Sequence, residues 1–174
     1  MGGGNFFAYT GNDPISLVDP SGFSPSQQCD KKCPPIPPHP GNANVDNNIW
    51  DAYFHTLDPS YYPKYFHRII DGGDWDYKTR GYDDFGNFNY GATLAAMGVP
   101  ESIILRGAGA YKLYKNQKKN QPDPYGRPWD RNGPFGNEPD KNDMIQRGID
   151  YYRNGCTQPL QIQPFGKPWD GPLS

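Results

Sequence analysis

The 174-residue sequence is poor in hydrophobic residues, and this scarcity excludes several classes of protein. Only 34% of the residues are hydrophobic, and no run approaches the roughly 20 apolar residues of a membrane-spanning helix, so pore formation and membrane insertion are disfavoured. The net charge of −2 gives no sign of the basic surface that binds phosphate backbones. Residues 1–4 lack the basic and apolar regions of a signal peptide, so we expect export by a route without a cleavable signal.

Cysteine is also scarce. The chain has three cysteines, and Cys29 and Cys33 have the spacing of half a metal site. A second cysteine pair, or a histidine pair at zinc spacing, is missing, and a proline run follows Cys33. We therefore interpret the pair as a linker feature, with a disulfide in an oxidising compartment as one option, and we predict no metal and no cofactor.

Aromatic residues, in contrast, are abundant, with 13 Tyr, 9 Phe and 4 Trp. Glycine and proline, at 21 and 20 residues, approach the fraction found in disordered chains, but disordered chains contain few aromatics. The composition predicts one domain with a small aromatic core and long ordered loops. Residues 23–46 have almost nothing to bury and include the proline run, which indicates an extended linker.

Hydrophobic periodicity predicts a mainly α domain of about five helices, because no segment alternates like a half-buried strand. Gly98 suits the end of one helix, and Pro100 and Pro139 suit the starts of the next two. Residues 75–87 are predicted to form a loop or a short extended segment, and residues 120–138 a long loop. The predicted helices span residues 48–55, 61–70, 88–97, 100–117 and 139–154.

One heptapeptide occurs twice, as Pro-Tyr-Gly-Arg-Pro-Trp-Asp at 124–130 and as Pro-Phe-Gly-Lys-Pro-Trp-Asp at 164–170. Nothing else recurs with it, so a solenoid is rejected. Turn chemistry is sufficient to explain the repeat, and two equivalent binding loops are the alternative.

A motif near the N-terminus indicates how the chain is organised. Residues 12–22, Asn-Asp-Pro-Ile-Ser-Leu-Val-Asp-Pro-Ser-Gly, resemble the closing motif of Rhs-repeat-associated core domains. Asp19 matches the aspartate of that motif, whereas Phe23 stands where the family usually has leucine. The resemblance implies a toxin cargo that is held in an Rhs cage and released by self-cleavage. The implied segments are the end of an Rhs β-core (1–22), a proline-rich linker (23–46), a toxin domain (47–155) and a C-terminal tail (156–174).

Two central motifs resemble the polymorphic toxin type 44 family, and the resemblance covers roughly residues 48–153. They are Gly-Asp-Trp-Asp-Tyr-Lys at 73–78 and Phe-Gly-Asn-Phe-Asn-Tyr-Gly-Ala-Thr at 85–93. Residues 136–139, Gly-Asn-Glu-Pro, depart from the acidic run that family members tend to carry there. The resemblance implies an antibacterial toxin that is secreted, delivered into a target bacterial cell and paired with a cognate immunity protein.

The same motifs contain most of the residues that we predict to carry chemistry. Burial of their aromatic side chains would place the polar neighbours in a low-dielectric setting, where charges pair or pKa values shift. A Lys–Asp ion pair that merely holds a loop against the core is the structural alternative. The catalytic candidates are Lys78, Asp76, Asp84, Asn87, Asn89, Tyr90 and His67, and the candidates for substrate binding are Trp75, Tyr77 and Arg106.

Three functional hypotheses follow. The family is generally regarded as one of predicted ribonucleases, so the leading hypothesis is metal-independent RNA cleavage, in which His67 or Asp84 deprotonates the ribose 2′-OH and Lys78 stabilises the transition state. The alternative is a peptidoglycan glycosidase, because aromatic rings suit sugar faces and Asp76 and Asp84 would serve as acid and base. The third is a non-enzymatic binding module, which the near-neutral charge favours.

Overall fold

The computed structural model describes residues 33–70 and 72–159, and in these residues the chain forms five α-helices, one short 3-10 helix and no strand. The predicted mainly α fold is confirmed. The Rhs-like motif, Cys29 and the second heptapeptide lie outside the described residues. The helices are α1 (Val45–Phe54), α2 (Tyr61–Ile69), α3 (Asp83–Ala96), α4 (Glu101–Lys118) and α5 (Pro139–Arg153), and the 3-10 helix spans Tyr77–Arg80.

Helix α3 is the centre of the domain and packs chiefly on α5 and also on α1. Phe85 and Phe88 on α3 are fully buried, as is Ile145 on α5. Two glycines allow the backbones of α3 and α5 to approach closely. A Cβ atom at Gly91 would lie 2.1 Å from the Ile145 carbonyl oxygen, and one at Gly148 would lie 2.0 Å from the Phe88 carbonyl oxygen.

The start of α3 corrects the prediction that residues 75–87 form a loop. The helix begins at Asp83 and not at residue 88, and a 3-10 helix precedes it. The acidic side chains of Asp83 and Asp84 occupy the first turn, where they suit the positive end of the helix dipole. Phe85 and Phe88 then fall on the buried face three residues apart, so the core stabilises this early start.

The end of α3 follows the prediction made from Gly98. Gly98 has a left-handed backbone (φ 75°). Its N–H donates to the Ala95 carbonyl, and the N–H of Val99 donates to the Leu94 carbonyl. This Schellman arrangement satisfies the last carbonyls of the helix and turns the chain into α4.

A disulfide ties the two ends of the described region together. Cys33 is bonded to Cys156, with 5.7 Å between their Cα atoms, so the pairing of Cys29 with Cys33 that the sequence suggested is wrong. Close spacing in the sequence favoured the neighbouring pair, whereas the packing of α5 brings Cys156 to the start of the domain. Arg147 on α5 also donates to the Pro35 carbonyl oxygen at 2.9 Å.

Within the described part of the chain, none of the helices combines the length and the apolar character that a membrane span requires.

Candidate functional site

A groove of about 540 Å³ lies between α3 and α4, and α2, the 3-10 helix and Lys141 of α5 complete its lining. Helix α3 contributes Asp83, Asn87, Tyr90 and Leu94, and α4 contributes a strip from Ile103 to Lys115. The Tyr90 hydroxyl donates to the Ile104 carbonyl oxygen at 3.0 Å, which joins the two walls.

One end of the groove, here called the cationic end, is lined by Lys78, Lys112, Lys115, Lys141 and Asp83. The Nζ atom of Lys78 lies 3.5 Å from Asp83 Oδ1, and that of Lys141 lies 3.6 Å from Asp83 Oδ2. One aspartate therefore sits between two ammonium groups. With Lys112 and Lys115, the lysines outnumber the two aspartates, Asp76 and Asp83, that line the groove.

Glu138 holds two of these lysines without lining the groove itself. Its Oε1 atom accepts from Lys112 Nζ at 2.5 Å, and its Oε2 atom is ion-paired with Lys141. The hydrogen bonds from Lys112 and Lys141 lower the pKa of Glu138 to about 2. Glu138 is thus a fixed negative charge at neutral pH, and it positions one lysine from α4 and one from α5.

The two lysines beside Asp83 have pKa values shifted in opposite directions. Burial, with a further contribution from the nearby Lys141 charge, lowers the pKa of Lys78 despite the attraction of Asp83. Burial also acts against the charged form of Lys141, but its hydrogen bond to Glu138 and the Asp83 charge outweigh that effect and raise its pKa. Lys78 is therefore the more readily deprotonated of the pair.

The 3-10 helix places Lys78 at the groove. Tyr77 next to it is buried, its ring meets Phe85 edge-on with centroids 4.7 Å apart, and its hydroxyl accepts from Asn48 Nδ2 at 3.0 Å. Gly81 closes the 3-10 helix in the left-handed region (φ 83°). An anchored aromatic neighbour on one side and a tight turn on the other fix where the lysine side chain emerges.

The opposite end, here called the aromatic end, is lined by Tyr62, Phe66, Trp75, Leu94 and Ile103. Phe66 is 50% exposed and Ile103 is 55% exposed, so these side chains are not part of the core. Trp75, by contrast, is buried, and its ring meets the buried ring of Tyr65 edge-on with centroids 5.9 Å apart.

Comparison with known families identifies what kind of domain carries this groove. A family model described as bacterial toxin 44 matches residues 45–154, which is more than half of the chain. The chain belongs to the bacterial toxin 44 family. Every residue that lines the groove falls inside the matched span. No curated protein and no solved structure matches the chain.

Membership of the bacterial toxin 44 family makes this a toxin domain, and such a family suggests a secreted effector. Toxin families of this kind in general imply an immunity protein as partner. The match begins at residue 45, so the link to an Rhs core rests on the sequence motif alone.

The groove brings together six of the ten residues predicted from the toxin 44 motifs and their surroundings. The buried carboxylate of Asp76 accepts from the Gly72 N–H at 2.8 Å, and Asn87 Nδ2 donates to the Asp83 carbonyl oxygen at 3.0 Å. Burial raises the pKa of the Tyr90 phenol well above its usual range. The six that line the groove are Lys78, Asp76, Asn87, Tyr90, Trp75 and Tyr77.

The other four predicted residues lie elsewhere. His67 and Asp84 are exposed and do not line the groove. Asn89 is buried behind the groove, where its Oδ1 accepts from Asn48 Nδ2 at 2.8 Å. Arg106 does not line the groove either.

Arg106 binds the first copy of the repeated heptapeptide. Its guanidinium donates to the carbonyl oxygens of Pro128 and Asp130, at 2.5 and 3.0 Å, and lies 4.6 Å from the centroid of the Phe135 ring. Asp130 in turn accepts from the Arg127 N–H at 2.7 Å, which closes a turn. These contacts give Arg106 a structural part in holding residues 124–136 on α4.

Several groove residues were not predicted from the sequence: Asp83, Lys112, Lys141 and, behind them, Glu138. Asp84 was preferred to its neighbour Asp83. Glu138 stood at the one place where the sequence departs from the toxin 44 pattern. Its carboxylate at that departure was the signal that could have located the site.

Proposed function

We propose that this toxin 44 domain is a ribonuclease that acts in the cytoplasm of a competitor bacterium, that it is carried at the C-terminus of an Rhs protein, and that an immunity protein protects the producer. The observation that carries the proposal is the cationic end of the groove, where Lys78 and Lys141 flank Asp83. Fixed positive charges in a partly buried site are the arrangement that stabilises a transferring phosphoryl group.

The proposed reaction is cleavage through the ribose 2′-hydroxyl without a metal cofactor. Asp83 accepts the proton of the 2′-OH, and the 2′ oxygen then forms a bond to phosphorus. Lys141 stabilises the negative charge on the phosphoryl oxygens, and the P–O5′ bond breaks. Lys78 donates a proton to the leaving 5′ oxygen, for which its lowered pKa is suited. The products are a 2′,3′-cyclic phosphate and a 5′-hydroxyl.

This assignment replaces His67 and Asp84 as the proposed base, because both lie outside the groove. Tyr90 is a weaker candidate, since its hydroxyl already donates to the Ile104 carbonyl and burial raises its pKa.

The carboxylates weigh against the peptidoglycan glycosidase. A glycosidase needs one carboxylic acid that stays protonated near neutral pH, which requires a raised pKa. Glu138 has its pKa lowered to about 2, so it does not supply that acid. Asp84, one of the two carboxylates proposed as acid and base, is exposed and does not line the groove.

The direct test is cleavage of total bacterial RNA by the purified full chain. We expect Lys78→Ala and Lys141→Ala each to lower the rate by about 100- to 1000-fold, the range for losing one group that stabilises transition-state charge. Lys64→Ala is the matched control, because Lys64 is an exposed lysine of α2 that does not line the groove. Full toxicity of the Lys78→Ala protein would instead favour a non-enzymatic binding module.

A further inference from the structure

The chemical character of the groove changes along its length. On α4 the lining runs from Ile103 to Lys115, about 18 Å at 1.5 Å per residue. On α3 it runs from Leu94 back to Asp83, about 16 Å by the same rise. Both walls pass from apolar to charged in the same direction, because α3 and α4 are connected at two places. Tyr90 bonds Ile104 toward the apolar end, and at the charged end Lys141 and Glu138 link Asp83 to Lys112.

Flat side chains at the aromatic end are left uncovered. Phe66 is 50% exposed and Tyr62 is 37% exposed, and both project from α2 into the groove opposite Ile103. Exposed aromatic groups beside a cationic surface are what single-stranded nucleic acids bind, with bases stacked on the rings and phosphates on the lysines.

We infer that the groove binds RNA as an unpaired strand, with a phosphate at the cationic end and an unstacked base on Phe66 and Tyr62 at the aromatic end. This inference rests on the proposed ribonuclease function and adds the substrate class. In a duplex the base faces are covered by their neighbours, and proteins contact the 2′-hydroxyls and phosphates on its outside. A groove of about 540 Å³ has room for nucleotides of a single strand.

The charge and the ring faces together favour a nucleotide over a phospholipid. An acyl chain would also use an apolar end and a cationic end. The exposed ring faces of Tyr62 and Phe66, however, offer stacking surfaces, which bases use and acyl chains do not. Lipid binding is therefore an outcome that the test must separate.

The test uses the full chain and a labelled RNA hairpin with a perfectly paired stem and an unpaired loop. We expect cuts in the loop to be at least about tenfold faster than cuts in the stem, and we expect an unpaired RNA strand to bind at least about tenfold more tightly than its duplex. Phe66→Ala is expected to weaken both loop cleavage and strand binding by about tenfold or more, because stacking on one aromatic ring is lost. Phe66→Tyr keeps a ring and should retain both.

The matched control is Phe54→Ala, because Phe54 is a 66% exposed aromatic residue of α1 that does not line the groove. Equal cleavage of stem and loop, or strand binding that is unchanged in Phe66→Ala, would overturn the inference and leave the ribonuclease standing. Binding of phosphatidylglycerol vesicles by a protein that does not bind the unpaired strand would also overturn it. Absence of RNA cleavage by a protein that still binds the strand through Phe66 would contradict the proposed function alone.

Discussion

At the scale of single residues, the site depends on a carboxylate that does not line it. Glu138 forms ion pairs with both Lys112 and Lys141. Without Glu138, Asp83 would be the remaining counter-charge, and it pairs with Lys141 and Lys78 but not with Lys112. A buried or half-buried cation cluster is costly unless such counter-charges accompany it. Glu138 therefore makes the concentration of lysines at one end of the groove possible.

The lowered pKa of Glu138 predicts a pH dependence of stability. Its pKa falls from 4.5 to about 2 on folding, so its contribution is fully present above about pH 4.5 and is lost as the pH falls toward 2. Glu138→Gln removes this contribution. Urea unfolding should show the variant to be less stable than the parent at pH 7, with the difference shrinking as the pH is lowered through this window. The control is Asp143→Asn, an exposed residue of α5, and a Glu138→Gln difference that stays constant with pH would contradict the account.

The proposed proton donor can be separated from a simple positive charge. Lys78→Arg keeps the cation beside Asp83, but a guanidinium does not give up its proton in proteins. We expect kcat for RNA cleavage to fall by about 100-fold or more while KM changes little. An unchanged kcat in steady-state kinetics would show that Lys78 acts only through its charge.

At the scale of the elements, the helices were predictable where the hydrophobic period was long and the caps were clear. The Gly98 and Pro100 signals placed the junction of α3 and α4 correctly because local turn chemistry sets it. The first turn of α3 was missed because Asp83, Asp84 and Gly86 are weak helix formers, and only the burial of Phe85 and Phe88 in the core reveals the helix.

The missed first turn of α3 also explains why Asp84 was predicted instead of Asp83. On a loop no periodicity distinguishes Asp83 from Asp84. On a helix Asp83 shares a face with Gly86, Asn87 and Tyr90, three, four and seven residues later, so it lines the groove while Asp84 turns away. Lys112 and Lys141 come from different helices, and no local pattern could bring them together.

The contact of α3 with α5 predicts which helical glycines tolerate a methyl group. Gly148→Ala would place Cβ 2.0 Å from the Phe88 carbonyl oxygen, so we expect a loss of about 1–3 kcal/mol or more in the free energy of unfolding. Gly86→Ala is the matched change, because its Cβ would have nothing nearer than 3.6 Å and alanine favours helix formation. Urea unfolding of both variants checks this, and equal stabilities would contradict the close packing of α3 on α5.

At the scale of the whole molecule, one covalent bond closes most of the domain into a loop. Cys33 and Cys156 are 123 residues apart in the sequence. Cross-linking such distant positions restricts the unfolded chain, which predicts that reduction lowers the free energy of unfolding by about 2–4 kcal/mol.

This prediction is checked by urea unfolding with and without a reducing agent. The variant with both Cys33→Ser and Cys156→Ser should have the stability of the reduced protein and should not respond to the reducing agent. A parent protein whose stability is the same in both conditions would show that the bond does not stabilise the fold.

Whether the toxin cuts RNA inside the target cell is best tested by the compartment from which it kills. The full chain would be expressed in bacteria either in the cytoplasm or with an added export signal, alongside Lys78→Ala and the control Lys64→Ala. We expect killing from the cytoplasm only, with degraded cellular RNA. Lys78→Ala should abolish this killing and Lys64→Ala should retain it. Killing only after export, with intact RNA, would contradict the ribonuclease and point to the cell wall.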